Sequence, residues 1–182
     1  MQRIFTIGHS TRTIEEFIEL LNLSSIKQLV DIRTIPKSRH NPQFGQEELK
    51  KSPKNPENTK NAGIKYQYLA ELGGLRPAVK ESTNDAWHNK SFRNYADYMQ
   101  TEDFQKGIDR LLDIAKDKIT AITCAEAVPW RCHRSLVADA LLVRKISVCE
   151  IISKSSIREH KLTSFAVVNN LEITYPKSAL QD

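Results

Sequence analysis

Short β-rich runs alternate with stretches whose apolar residues return every three or four positions, and this alternation constrains the fold more than any other feature of the chain. Residues 4–7, Ile-Phe-Thr-Ile, are the first such run. Thr13-Ile14-Glu15-Glu16 follows, and Thr and Glu three apart form a capping box that opens a helix. Its apolar positions Ile14, Phe17, Ile18 and Leu21 fall at i, i+3, i+4 and i+7, one helical face. Residues 28–32 read as a second strand, stopped by Pro36, residues 66–69 as a third, 119–124 as a fourth and 148–152 as a fifth. Between the third and fourth, Phe104, Ile108, Leu111, Leu112 and Ala115 keep helical spacing. Residues 132–144 are apolar almost all round, which predicts a buried helix. Residues 165–168 and 171–175 around Asn169-Asn170 predict a C-terminal β-hairpin.

Strands that alternate with helices imply an α/β fold: an open, mainly parallel sheet with helices on both faces, a Rossmann-like three-layer arrangement. The run 119–124 fits it, since a parallel strand covered on both faces is apolar on both sides. The 182 residues suit one α/β domain over 1–182. Hydrophobic residues at 40% and charged ones at 27% exclude a disordered or fibrous chain. The apolar start is too short for a signal-peptide core or a span, so a cytoplasmic protein without a membrane partner is expected. Three cysteines, Cys124, Cys132 and Cys149, make no disulfide framework, and reduced thiols are expected. Nothing in the sequence sets an oligomeric state.

The formal charge of +5 is confined to one loop-rich segment, about 33–65, where eight Lys and Arg face three Glu and four prolines interrupt regular structure. A short helix is predicted near residues 46–51. Such a local field attracts an anionic ligand or nucleic acid. A long loop inside a compact domain is more often functional or disordered than idle.

In open α/β sheets ligands bind beyond the carboxyl ends of the strands, which sorts the polar motifs. The first strand ends in Gly8-His9-Ser10, the second in Asp31-Ile32-Arg33 and the fourth in Cys124-Ala125-Glu126, so all three belong on one edge. The loop beyond Glu126 enters the next helix through Arg131-Cys132-His133-Arg134, bringing backbone N–H groups and two cations to that edge. Arg33, Arg39 and Arg134 are predicted to fork onto carboxylate or phosphate oxygens. Glu126 or Asp31 is the expected acid, base or nucleophile, and His9 or His133 a proton carrier near neutrality. Asp31 and Arg33 equally suit a structural ion pair. Cys132, beside cations at a helix start, is a candidate nucleophile and otherwise a small buried hydrophobe. Ser10, Cys124 and His133 complete the expected ligand-binding set. His40 lies in the basic loop, whereas His88 and His160 have no supporting context and are read as surface residues.

Three alternatives fit less well. A phosphatase-type loop from Cys124 to Arg131 has six intervening residues where five are normal. A metal site gathering Cys124, Cys132, His133 and His9 matches no standard zinc spacing, so no metal or other cofactor is expected. No glycine-rich phosphate loop or dinucleotide fingerprint is present.

The segments Thr6-Ile7-Gly8-His9-Ser10, Asp31-Ile32-Arg33, Ser38-Arg39 through Pro42 to Phe44, Leu72-Gly73-Gly74, and Cys124-Ala125-Glu126 with Cys132-His133-Arg134 together resemble the bacterial and archaeal family catalogued as domain of unknown function 488. The resemblance spans residues 6–134 and implies an α/β fold without supplying a reaction. Three functions follow as expectations. The first is an enzyme, a hydrolase or transferase, acting on a phosphorylated or nucleotide-like anion at the carboxyl edge. The second is a nucleic-acid-binding module using segment 33–65. The third is a non-catalytic anion-sensing domain.

Overall fold

The computed structural model describes residues 2–50 and 63–180. Its strands are β1 (Arg3–Gly8), β2 (Gln28–Asp31), β3 (Lys65–Tyr68), β4 (Thr120–Cys124), β5 (Ser147–Ser153), β6 (Ser156–Glu159), β7 (Val167–Asn169) and β8 (Glu172–Thr174). The helices are α1 (Ile14–Leu23), α2 (Gln46–Lys50), α3 (Lys90–Tyr98), α4 (Glu102–Ala115) and α5 (Arg134–Leu142). Six strands form one sheet in the order β3-β2-β4-β1-β5-β6, parallel except for β6, and β7 pairs with β8 as an antiparallel hairpin. The mainly parallel sheet and the C-terminal hairpin are thus as expected.

Pleating decides which helices each residue meets. Leu29 joins a cluster with Phe17, Leu21 and Phe44, whereas its neighbour Val30 joins Leu72, Ile108 and Leu136. Ala121 and Ile122 split in the same way. Helices α1 and α2 therefore cover one face, and α3, α4 and α5 the other. Every residue of β4 is buried, which is why its sequence lacks a polar face. The predicted capping box is present, with the Thr13 hydroxyl accepting from Glu16 N at 3.1 Å and the Glu16 carboxylate accepting from Thr13 N at 3.0 Å.

Topology places a crevice between β1 and β4. The chain leaves β1 through α1 toward β2 on one side, and leaves β4 through α5 toward β5 on the other. Chains that diverge at adjacent strands open a cleft at their carboxyl ends. No described helix is long and apolar enough to cross a membrane.

The structure corrects the sequence reading at several points. The buried helix begins at Arg134, because Cys132 is extended, with φ −136° and ψ 142°. Helix α3 and strand β6 were not expected. Helix α3 does carry a signal, since Asn89 caps it and Phe92, Tyr95, Ala96 and Met99 lie at i, i+3, i+4 and i+7. His160 is not a surface residue: its side chain is 8% exposed and bridges Asp139 and Glu150, each at 2.8 Å. Of the basic segment, Lys51, Lys54 and Lys60 lie outside the described residues.

Candidate functional site

The strand register brings the polar motifs level. Gly8 pairs with Cys124 across β1 and β4, and Asp31 with Thr123 across β2 and β4. Pairing continues one step past the strands, through His9 N to Cys124 O at 3.0 Å, Ser10 N to Ala125 O at 2.8 Å and Ile32 N to Thr123 O at 3.0 Å. Gly8 is required for this closeness, since a Cβ there would lie 1.7 Å from the Glu126 carbonyl oxygen. A cavity of about 400 Å³ opens where these ends meet, lined by His9, Arg33, Cys124, Glu126, Cys132 and His133. Lys37, Ser38, Arg131 and the apolar Ile35, Leu75 and Phe92 complete most of its wall.

The remaining predicted residues stand behind or beside this cavity. Asp31 is fully buried and faces Arg33, whose Nε donates to Oδ1 at 2.9 Å and whose Nη2 donates to Oδ2 at 2.5 Å. Tyr66 also donates to Oδ2, at 2.8 Å, its phenol kept protonated by burial and by the charge of Asp31. This carboxylate is saturated by its neighbours and does not line the cavity. Arg33 then reaches Phe44 O at 2.8 Å and His9 Nε2 at 3.3 Å, so most of its donors are committed. Arg134, expected to grip a ligand, is 1% exposed and donates to the Glu126 carbonyl at 2.7 Å. It shapes the loop from behind, and its Nε and Nη1 have no hydrogen-bond partner among the described residues. Arg39 is exposed and Ser10 half-buried, and neither lines the cavity. Ser10 adopts φ 50°, a left-handed conformation that turns the chain back over Ala125.

His9 stacks on Phe44 with ring centroids 4.4 Å apart. Burial, reinforced by the positive charges of Arg33 and Arg134, pushes its imidazole down to about 4. Near neutrality it is uncharged, with Nδ1–H donating to Ser10 O at 2.9 Å and Nε2 accepting from Arg33. That corrects its reading as a proton carrier at neutral pH.

His133 is held differently. Its Nε2 meets the Ile32 carbonyl at 3.0 Å, and its Nδ1 faces the sulfurs of Cys132 at 3.7 Å and Cys124 at 3.9 Å. The Cys132 thiol is lowered well below its ordinary value, first by a hydrogen bond from Cys124 and then by His133 and Arg134. Cys124 is correspondingly raised by the bond it gives to Cys132 and by burial. Tyr95 packs on the imidazole with centroids 5.0 Å apart. Gly74 closes the other approach, because a Cβ there would lie 2.5 Å from Nδ1. Gly74 thus permits a close approach of backbone to imidazole. Gly74→Ala is expected to displace the ring and lower stability by about 1–3 kcal/mol, as overpacking does. Urea unfolding measures this, and a change under ~0.5 kcal/mol, the scale of an ordinary surface substitution, would contradict the contact.

Sequence reasoning missed Ile35, Lys37 and Leu75, for loop residues have no periodicity to betray a shared wall, and it missed Phe92 with the helix α3 that carries it. It also missed Arg12, whose guanidinium bonds Gly8 O and, at 2.7 Å, Ile152 O, tying the ends of β1 and β5.

Among known proteins, the family model described as Domain of unknown function DUF488 matches residues 13–141. That span includes Asp31, Arg33, Glu126 and the Cys124, Cys132 and His133 cluster, and it begins just after the turn that carries His9. No curated protein and no solved structure matches the chain.

Proposed function

The chain belongs to the DUF488 family, and from the geometry of its carboxyl-edge cavity we propose that it is an enzyme, a hydrolase or transferase, acting on a phosphorylated or nucleotide-like anion. One observation carries this reading: three strand ends held level by the register collect His9, Arg33, Cys124 and Glu126 around a single cavity of about 400 Å³. Its size is that of a small-molecule site. Its charge favours an anion, since Lys37 and Arg131 line it against one carboxylate, Glu126, while Arg33 is already paired with Asp31 behind the wall. Ile35 at 61% and Leu75 at 68% exposure supply apolar flanks at the mouth, suited to a base or sugar face.

Lys37 and Arg131, exposed and unpaired with any carboxylate among the salt bridges of the described residues, hold the anion in this reading. Glu126 is the general acid or base, Arg33 and His9 form a rigid wall, and Asp31 and Arg134 are positioning residues. The three free thiols suit a reducing cytoplasm.

A panel of nucleotides and phosphorylated metabolites is expected to contain a ligand that raises the thermal midpoint, since binding the folded state alone stabilises it. Lys37→Ala with Arg131→Ala should remove that shift. Glu126→Gln should keep the shift and reduce turnover by about 100-fold or more, the usual scale of an acid–base group. Full turnover by Glu126→Gln defeats the assignment.

A further inference from the structure

We propose that Cys124, Cys132 and His133 form a binding site for a soft divalent metal ion of the zinc type, with three protein ligands and a fourth position open to the cavity. The three ligand atoms lie within 4.8 Å of one another. Bond lengths of about 2.3 Å to sulfur and about 2.0–2.1 Å to nitrogen in a tetrahedral site place S and N about 3.6 Å apart. The observed Nδ1–Sγ distances of 3.7 and 3.9 Å match that value to a few tenths of an ångström, and the two sulfurs, about 3.8 Å apart around an ion by the same bond lengths, lie within 4.8 Å of each other.

The imidazole is already set for this task. A carbonyl oxygen can only accept, so the contact with Ile32 O places a proton on Nε2, and the Nδ1 that faces both sulfurs is the nitrogen that gives up its proton when an ion binds. A ligating histidine is oriented in this way by its second nitrogen. Support on either side is rigid. Cys124 ends the buried central strand β4, and the ring of His133 is confined by Tyr95 and Gly74. Thiolates and imidazole together favour zinc over magnesium or calcium. His9 does not belong to the cluster, because its Nε2 faces Arg33.

Closed four-ligand sites are structural, whereas three protein ligands with an open position are the catalytic arrangement. Here all three ligands border the cavity. Glu126 lies on the same wall outside the cluster, free to exchange a proton with a water that the metal makes more acidic. That last role alone rests on the enzymatic reading above; the metal site stands without it.

The full chain, loaded with zinc and desalted, should retain one equivalent by elemental analysis. Cobalt in its place should show thiolate-to-metal charge transfer and the visible bands of a tetrahedral ion. Cys132→Ser and Cys124→Ser should each weaken binding beyond the ~10–100-fold of an outer-shell change, with folding followed by circular dichroism. Should either variant not fold, alkylation of the wild-type chain with and without zinc decides, as the ion should slow modification of the buried Cys124 and Cys132 relative to the metal-free chain and leave Cys149 unchanged. Retention below one-tenth of an equivalent, a cobalt spectrum without sulfur charge transfer, or unprotected thiols would overturn the site. Glu126→Gln should keep its metal. A metal-loaded chain on which Glu126→Gln has no effect defeats the enzymatic assignment and leaves the metal site standing; loss of turnover in that variant with no metal retained does the reverse.

Discussion

Asp31→Ala is expected to lower the unfolding free energy by about 3–5 kcal/mol, the usual cost of removing one partner from a buried ion pair. Arg33 is 5% exposed and gives Asp31 both Nε and Nη2, so the alanine variant would leave a largely buried cation without its counter-charge. Tyr66 would lose its acceptor as well. Damage should extend to the cavity, since Arg33 also orients His9 and holds the Phe44 carbonyl. Urea denaturation gives the loss, and the double variant Asp31→Ala/Arg33→Met separates its causes. An apolar replacement of both partners removes the stranded charge, so the double variant should be more stable than Asp31→Ala alone. A loss below about 1 kcal/mol, the scale of an exposed pair, would mean that the two groups do not form the buried pair described.

Stability should also fall as pH rises from about 6.5 to about 9, through His160. Burial disfavours its imidazolium, but hydrogen bonds to Asp139 and Glu150 outweigh that effect and raise it to about 9. Because the folded value lies above the unfolded one of about 6.5, the stabilisation is complete below pH 6.5 and is lost as pH passes through the folded value. At 1.36 kcal/mol per pH unit this difference corresponds to about 3 kcal/mol. The charged groups around it are Asp139, Glu150 and Arg158, with Tyr175 donating to Asp139 at 2.8 Å. His160→Gln should therefore be less stable at pH 6 and nearly insensitive to pH between 6.5 and 9. Parallel curves for both proteins would remove His160 as the cause.

This second prediction comes from a residue that carried no signal in the sequence. His160 follows β6, a short strand with exposed Ile157 and no regular apolar alternation, and its partners lie 10 and 21 positions away. Asp139 sits in a helix between the apolar runs 136–138 and 140–142, and only the packing of α5 on the sheet shows that its carboxylate needs a buried cation. Asp31 and Arg33 were visible as a pair, but not which of two roles they serve. Two residues apart beyond a strand, they suit a ligand or each other equally, and the choice follows from Tyr66 and Phe44, which arrive from β3 and from the loop before α2.

What the sequence by itself determined is what repeats locally. The capping box at Thr13, the helical spacing of α4, the apolar run of β4 and the three strand-end motifs each depend on residues a few positions apart, and hydrophobic periodicity with the strand-end rule was enough to predict one polar edge. Tertiary structure alone decided which members of that edge face the cavity. Whether Arg134 grips a ligand or lies under Glu126, and whether His133 turns its Nδ1 to two sulfurs, depends on contacts such as Gly8 against Glu126 and His133 against Ile32, the latter between residues 101 positions apart. Side-chain direction at a strand end is set by neighbours across the sheet, and those neighbours have no fixed spacing along the chain.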